Sequence, residues 1–467
     1  MAQAGVGLEL GPDGATLKYA LSEDVLIETL NPFPPNDRTT GTQRRSDKIN
    51  GSQQVIESLR HGIGYYRTVG QPPNDSYEEG AHPSYSAMFD SKAETRWEGQ
   101  VTRPPKITAG TVTNATHDYR KLINTVYGET LVLSRTADES IGIWNYDTNT
   151  VDQDRNMTEG WAQTASCEHE GYTYIFSGTG SGDIILKFTG TSYDTLDPTA
   201  APTVVLISAV SFRGTLYGLG HDSSNRVLEI WKSTDDGDNW TQLSGCNVTE
   251  KPRNRAAYGH LVEYLDGNGQ PVIYLITDSY VYIFDTVAEE VLPVIKWDDR
   301  MKDTGNPKAA EPLTFDPEDG NGLRLYVPRD EQLWEIHYTG RREDVSPFQK
   351  GSVASALVDR NAKISSLAVG GGWLFVGYSS TLLTAYVYAY DGFGFHYIWN
   401  GAITSGITDS GVVALALHKD WGSGQFQLLI LYTTGSAGAN TGIVVIDDIL
   451  LNPLQNSNSE YESSGFI

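Results

Sequence analysis

The residues best suited to chemistry are an acidic turn and a set of scattered histidines. Residues 235–239, Asp-Asp-Gly-Asp-Asn, offer the oxygen ligands that Ca²⁺ takes, but they lack the bidentate Glu of an EF-hand loop. Turn hydrogen bonding is therefore the favoured interpretation. The histidines near strand ends show no H-E-x-x-H or other metal spacing and are interpreted as surface or core residues: His169, His221, His260, His337 and His396. The sequence predicts no metal and no cofactor.

Arginines could do chemistry by clamping a carboxylate on a central axis, and Arg213, Arg255 and Arg324 are the candidates. The chain holds 34 Lys and Arg against 59 Asp and Glu, so ordinary ion pairing is the favoured interpretation. Paired glycosidase carboxylates cannot be identified without geometry, and no G-x-S-x-G nucleophile turn is present. No catalytic residue is predicted, and a non-enzymatic protein is favoured over an enzyme.

A turn between two alternating segments carries the most specific motif, in residues 229–241. Ser233, Asp235, Gly237 and Trp240 match the pattern S-x-D-x-G-x-x-W. Ser and Asp side chains can bond backbone N–H groups in such a turn, Gly supplies a positive φ, and Trp offers a large apolar surface. The motif resembles the Asp-box of sialidase-like β-propellers. The Arg-containing F-R-I-P signature of that family is absent, so no sialidase catalytic residue is carried over.

Self-similar units from about residue 106 predict the fold. Seven units, spaced by roughly 42 to 56 residues, end in a similar alternating strand. These strands are residues 143–146, 185–188, 230–233, 281–284, 333–336, 387–390 and 443–446. Each unit also has an earlier strand and a shorter innermost one. The pattern predicts an all-β protein, a seven-bladed β-propeller, with six blades plus an accessory sheet as the runner-up.

Composition shifts divide the chain into three predicted parts. Residues 1–95 are expected to form an extended N-terminal arm with one hairpin, in which residues 7–10 pair with 16–19. Residues 96–455 are expected to form the propeller, with 96–105 as the candidate ring-closing strand. Residues 456–467 are expected to be a flexible tail. Aromatic and basic residues suggest that the arm docks on a partner: Arg38, Arg44, Arg45, Lys48, Tyr65 and Tyr66.

Charge and hydropathy exclude several kinds of partner. A net charge of -25 argues against nucleic acid and against an anionic membrane surface. No apolar run reaches the ~18 residues of a membrane span, and residues 1–5 do not resemble a signal peptide. Cys167 and Cys246 show no metal spacing and are interpreted as buried thiols, with a single bridge left open.

A propeller without catalytic residues, preceded by an arm, is similar in architecture to tail and neck proteins of tailed bacteriophages. That resemblance implies a structural protein of the virion, whose partners are other copies of itself and other virion proteins. The alternative location is the cytoplasm. The first alternative function is a carbohydrate-binding or glycan-hydrolysing propeller, with Trp399 and Trp421 stacking on sugars. The second is an intracellular scaffold that binds proteins.

Overall fold

The computed structural model divides the chain into two compact units. One unit comprises 1–105, 388–399 and 452–467, and the other comprises 106–387 and 400–451. The structure describes residues 6–9, 16–21, 25–29, 52–55, 107–110, 118–135, 141–147, 150–155, 165–176, 185–196, 198–222, 227–249, 259–277, 279–297, 311–313, 323–329, 332–346, 363–379, 385–392, 395–400, 410–420, 423–434 and 440–450.

The smaller unit contains an antiparallel sheet near the N-terminus. Its strands are β1 (Val6–Glu9), β2 (Thr16–Leu21), β3 (Val25–Thr29) and β4 (Ser52–Val55), hydrogen-bonded in that order. The first pair aligns Gly7 with Lys18 and Leu8 with Leu17, one residue away from the register expected when 7–10 pair with 16–19. The described part of the predicted arm therefore contains four paired strands, where the sequence indicated one hairpin.

The propeller strands of the larger unit follow one another as antiparallel neighbours in four of its sheets. These sheets are β6 (Asp118–Asn124), β7 (Thr130–Arg135), β8 (Ile141–Asn145) and β9 (Thr150–Arg155); β10 (Ala165–His169), β11 (Tyr172–Phe176), β12 (Ile185–Phe188) and β13 (Tyr193–Leu196); β19 (Gly259–Leu265), β20 (Pro271–Thr277), β21 (Tyr280–Asp285) and β22 (Glu290–Lys296); and β23 (Glu311–Leu313), β24 (Arg324–Arg329), β25 (Gln332–His337) and β26 (Arg342–Asp344).

Two further sheets depart from the simple four-strand order. In one, β14 (Val205–Phe212), β15 (Thr215–Asp222) and β16 (Val227–Ser233) continue into two short strands that both pair with β16, which are β17 (Thr241–Gln242) and β18 (Val248–Thr249). In the other, β31 (Ser410–Lys419), β32 (Phe426–Thr434) and β33 (Asn440–Ile446) are completed by β5 (Ile107–Gly110).

The larger unit thus contains six complete blades of a β-propeller. It also holds the antiparallel pair β27 (Lys363–Gly370) and β28 (Trp373–Ser379). Most of β29 (Tyr386–Tyr390) and β30 (Phe395–Asn400) falls within 388–399, which belongs to the smaller unit. The all-β prediction is confirmed, and the six-bladed runner-up matches the structure. The seven-bladed first choice is not confirmed, because the strands β27–β30 are divided between the two units.

A strand from the N-terminal side of the larger unit completes the blade of β31–β33. β5 pairs antiparallel with β33, with Ile107 opposite Ile446 and Gly110 opposite Ile443. The segment 96–105, the candidate ring-closing strand predicted from the sequence, lies outside the described residues. The closing strand is apolar and uncharged where the candidate was charged, which suits pairing with the apolar strand β33.

The core consists of apolar layers between neighbouring blades. One layer joins Leu219 and Ile230 to Leu261 and Ile273, and another joins Leu122 and Val132 to residues of β31–β33. A blade that lies between two such layers is covered on both faces. This explains why its middle strands are nearly continuous apolar runs. The blade-to-blade layers fix how turns of adjacent blades meet.

Serine hydroxyls add polar links between innermost strands. β14 and β27 each contain a bulge just before a serine, Ser208 and Ser366. Ser208 Oγ accepts a hydrogen bond of 3.0 Å from the backbone N–H of Leu261, and Ser366 Oγ accepts one of 2.9 Å from that of Leu415. Each bulge re-aims a side chain towards the following innermost strand.

Both cysteines are free thiols, as the favoured interpretation held. Burial raises the pKa of Cys167 to about 12 and that of Cys246 to about 11, so neither is an activated nucleophile. In the part of the chain that the structure describes, no helix has the length and apolarity needed to cross a membrane.

Candidate functional site

The first and third turns of each blade lie at one end of the sheet, because successive strands run in opposite directions. At this end the β10–β11 turn of one blade approaches the turn that follows β16 in the next blade. Ser211 of β14 lies between them, within hydrogen-bond distance of His169. This junction brings together His169 and the acidic turn at residues 235–239, both of which the sequence singled out.

The turn after β16 is held by its own side chains. Ser233 Oγ donates to Asp235 Oδ1 at 2.7 Å and accepts from the Gly237 N–H at 3.0 Å. Asp235 also accepts from the side chain and the backbone N–H of Asn239, at 2.7 and 2.9 Å. These bonds, with that from the Asn239 side chain the largest, lower the pKa of Asp235. Its carboxylate is committed to the turn.

Trp240 anchors this turn in the preceding blade. Its indole is 4% exposed, and Nε1 donates to the Gly237 carbonyl at 2.9 Å. The ring meets Phe176 edge-on, with 5.7 Å between centroids. Gly237 has φ +98, which a residue with a Cβ adopts only with strain. Ser233, Asp235, Gly237 and Trp240 therefore form one structural unit that joins two blades.

A polar cluster lies beside that turn. The His169 ring, 2% exposed, places Nδ1 2.8 Å from Ser211 Oγ and Nε2 3.2 Å from Asp236 Oδ1. Glu170, next to His169, and Asp236 are both exposed. Sequence reasoning treated His169 as an isolated histidine, because 67 residues separate it from Asp236 and no local spacing links them. Only the blade order brings them together.

An exposed apolar segment occupies the outer strand β22 and the turn before it. Val287 is 86% exposed, Leu292 47% and Val294 41%, whereas most large apolar side chains of the described strands are buried. Pro293 is exposed between them, and the β21–β22 register shifts at Val294. We call Val287, Leu292, Pro293 and Val294 the apolar patch. Exposed apolar side chains on one strand and its adjoining turn can serve as a binding surface.

Other residues predicted for a site are placed differently. Trp399 is fully buried, so the prediction that it stacks on sugars is wrong, because its ring faces have no contact with solvent. Trp421, Arg255 and the candidate docking residues lie outside the described residues: Arg38, Arg44, Arg45, Lys48, Tyr65 and Tyr66.

Two of the three arginines considered as a carboxylate clamp are engaged elsewhere. Arg324 forms an ion pair with Glu335, whose other oxygen accepts a 2.9 Å hydrogen bond from the Tyr326 hydroxyl. Arg213 lies over the ring of Phe212, with its guanidinium carbon 4.9 Å from the centroid. The favoured interpretation, pairing with a carboxylate, is confirmed for Arg324.

Glu311 gives the propeller a pH-dependent stability. Burial raises the pKa of this carboxyl, opposite Tyr326 in the β23–β24 pair, to about 7. Between pH 4.5 and 7 the folded state keeps a proton that the unfolded state releases, so unfolding becomes easier as pH rises through that window. Glu311→Gln should remove this dependence and raise the free energy of unfolding at pH 8 by about 2–3 kcal/mol.

Urea unfolding at pH 5, 6, 7 and 8 measures this effect. Glu263→Gln is the control, because Glu263 is an exposed glutamate of an innermost strand. If the free energy of unfolding of Glu311→Gln changes with pH as that of the wild type does, the raised pKa of Glu311 is contradicted.

Comparison with known proteins identifies no family. No protein-family model matches the chain, and no curated protein matches it in sequence. Many solved structures resemble the fold at low sequence identity.

One resembling structure is the extracellular domain of a B. thetaiotaomicron protein described as a one component system. It is 13% identical, covers 73% of this chain and 40% of its own, and has a TM-score of 0.48. The chain therefore spans about two-fifths of that structure. The β-propeller domain of Cps50 (Swd1) from Myceliophteria thermophila is 10% identical over 73% of this chain and 99% of its own, with a TM-score of 0.43. YCF48 bound to D1 peptide is 11% identical over 75% and 98%, with a TM-score of 0.45.

Proposed function

We propose that this protein is a non-enzymatic β-propeller that binds another protein. The apolar patch is the observation that carries the proposal, because water-exposed Val287, Leu292 and Val294 have no role in the core. Burying them against a partner would remove apolar surface from water at about 25 cal/mol for each Å². Ser233, Asp235 and Trp240 are committed to hydrogen bonds within their own turn.

The strand that carries the patch favours side-chain docking over strand addition. β22 is the outermost strand of its sheet, and such an edge could pair with another chain. Pro293 cannot donate a backbone hydrogen bond, and the irregular register at Val294 interrupts the ladder. Partner recognition is therefore assigned to the exposed apolar side chains.

Charge selects the kind of partner. Glu290 is exposed at the start of β22, Glu289 is ion-paired with Lys232, and the whole chain carries a net charge of -25. A second copy would carry the same net negative charge, which disfavours self-association through this patch. We infer that the occupant is a different protein with apolar side chains flanked by Lys or Arg.

Binding of synthetic peptides to the full-length protein tests this proposal. The probe is a fluorescent twelve-residue peptide of alternating Leu and Lys, compared with Leu/Glu and Ser/Lys versions of the same length. The Leu/Lys peptide should bind most tightly. Leu292→Ser with Val294→Ser should weaken its binding about tenfold, which equals roughly 1.4 kcal/mol of lost apolar contact.

The double variant changes no charge, so it separates apolar docking from general attraction to an acidic protein. Phe426→Ser is the matched control, because Phe426 is 38% exposed on a different blade. Equal weakening by both variants, or equal binding of the Ser/Lys peptide, would contradict the proposed patch. Concentration-dependent dimerisation abolished by the double variant would replace the basic partner with a second copy.

The finer proposal from sequence is a tail or neck component of a bacteriophage virion, docking through its N-terminal residues. It rests on the architectural resemblance and on residues 38–66. Ring-sized oligomers of the full-length chain in light scattering, lost when Arg44 and Arg45 are both changed to Ser, would support it. A monomer in both cases would count against it.

A further inference from the structure

Three metal-ligating groups from two blades converge at the junction described above. His169 ends β10, Glu170 follows it in the turn, and Asp236 lies in the turn after β16. One ligand atom from each residue lies within 4.8 Å of the others. One ion could therefore contact all three after only small side-chain movements.

The buried histidine is oriented as a metal ligand would be. Its Nδ1 lies 2.8 Å from Ser211 Oγ, and its Nε2 faces the Asp236 carboxylate at 3.2 Å. When Ser211 accepts from Nδ1–H, the lone pair of Nε2 points at carboxylate oxygens, an arrangement that requires a proton or a cation between them. A hydrogen bond that fixes the second ring nitrogen is the usual support of a ligating imidazole.

The two carboxylates complete an open site. Glu170 and Asp236 are exposed, whereas His169 is 2% exposed, so the protein covers one side of the cluster and water reaches the other. The neighbouring Asp235 is excluded as a ligand, because its two oxygens already accept hydrogen bonds from Ser233 and Asn239. Asp235 therefore stabilises the turn, and Asp236 faces the polar cluster.

We propose that His169, Glu170 and Asp236 bind a divalent transition-metal ion of the Zn²⁺ class. One imidazole nitrogen with two carboxylate oxygens suits Zn²⁺ and its transition-metal neighbours, whereas Ca²⁺ and Mg²⁺ prefer oxygen ligands throughout. Three protein ligands leave a fourth position for water. The ion joins the blade of β10–β13 to the blade of β14–β18, so its binding stabilises that junction.

Zinc titration of the full-length protein, prepared without a polyhistidine tag and freed of metal by chelator and dialysis, tests the site. Calorimetry with ZnCl₂ should show a saturable site with a dissociation constant on the order of micromolar. Saturating Zn²⁺ should raise the thermal midpoint by about 3 °C or more, because the ion binds only the folded junction. CaCl₂ at the same concentration should leave the midpoint unchanged.

Variants assign the signal to these residues. Glu170→Gln combined with Asp236→Asn alters only exposed side chains and should weaken Zn²⁺ binding about 100-fold while the metal-free midpoint stays near that of the wild type. Asp238→Asn, with an exposed side chain in the same turn, should keep wild-type affinity. His169→Gln should abolish binding, with circular dichroism checking that it folds.

Three results would overturn the proposal. The first is no saturable Zn²⁺ binding up to about 1 mM, far above the expected constant. The second is wild-type affinity in the Glu170→Gln and Asp236→Asn variant, which would place the zinc on other residues. The third is Ca²⁺ binding as tight as Zn²⁺ binding, which would remove the imidazole from the ligand set.

Discussion

Trp240→Ala lowers the free energy of unfolding of the full-length protein by about 4 kcal/mol, the range expected when a buried aromatic side chain is deleted. The indole is 4% exposed and packs in a cluster with residues of the preceding blade, among them Tyr174, Phe176 and Ile185. The substitution opens a cavity between two blades and also removes the donor to the Gly237 carbonyl. Urea unfolding followed by circular dichroism measures the loss.

Trp240→Phe separates the two contributions. Phenylalanine keeps much of the apolar contact but leaves the Gly237 carbonyl without its indole donor, so its cost should be about 1–3 kcal/mol. Thr241→Ala is the surface control, because Thr241 is exposed, and should change stability by about 0.5 kcal/mol or less. A Trp240→Ala protein as stable as the Thr241→Ala control would show that the indole does not hold the two blades together.

Thr108→Pro with Ala109→Pro should destabilise the full-length protein by about 3 kcal/mol or more. The strand β5 has four residues, and all four are paired with β33. N–H groups of adjacent strand residues point in opposite directions, so at least one of the two prolines removes a donor to β33. Each unsatisfied acceptor costs about 1–3 kcal/mol, and so short a strand has few other bonds to hold it in place.

Native-state hydrogen exchange locates this damage. Among residues 443–446, the amides that donate to β5 should lose protection in the proline variant, while those that donate to β32 and those of Leu219 and Ile273, in the core of other blades, keep it. Thr108→Ala with Ala109→Ser retains both N–H groups and is the matched control. Uniform loss of protection in all blades would mean that the proline variant unfolds globally, and unchanged protection at 443–446 would contradict closure by β5.

The strands were largely predictable because their signal is local. Alternation and apolar content placed third strands at 143–146, 185–188 and 281–284, and the structure has β8, β12 and β21 there. The turn at residues 266–269, Asp-Gly-Asn-Gly, also has a local signal, and in the structure Asp266 accepts N–H bonds from Asn268 and Gln270 and Gly269 has φ +76. The division of the chain into two units was not predictable. Residues 388–399 belong to the smaller unit because of tertiary contacts, and tertiary contacts leave no local sequence pattern.

The candidate site was less predictable, because part of it depends on contacts between blades rather than on local sequence. The Ser233 turn carries its own hydrogen bonds, and sequence spacing was enough to identify it. The meeting of His169 with Asp236 depends on the packing of one blade against the next, which periodicity does not encode. Trp399 illustrates a different error: it was predicted to have an exposed, sugar-stacking role, and the structure buries it completely.

The pairing of β5 with β33 also orders events during synthesis. A ribosome makes residues 107–110 before the blades and residues 443–446 after nearly all of them. The closing strand must therefore wait, with its hydrogen-bonding edge unpaired, while the rest of the propeller is translated. Contacts between such distant parts of a chain form slowly, because the entropy lost on closing the loop precedes the gain from pairing. Until residues 443–446 emerge, the edge of β5 that they pair with stays open, and unpaired strand edges favour aggregation.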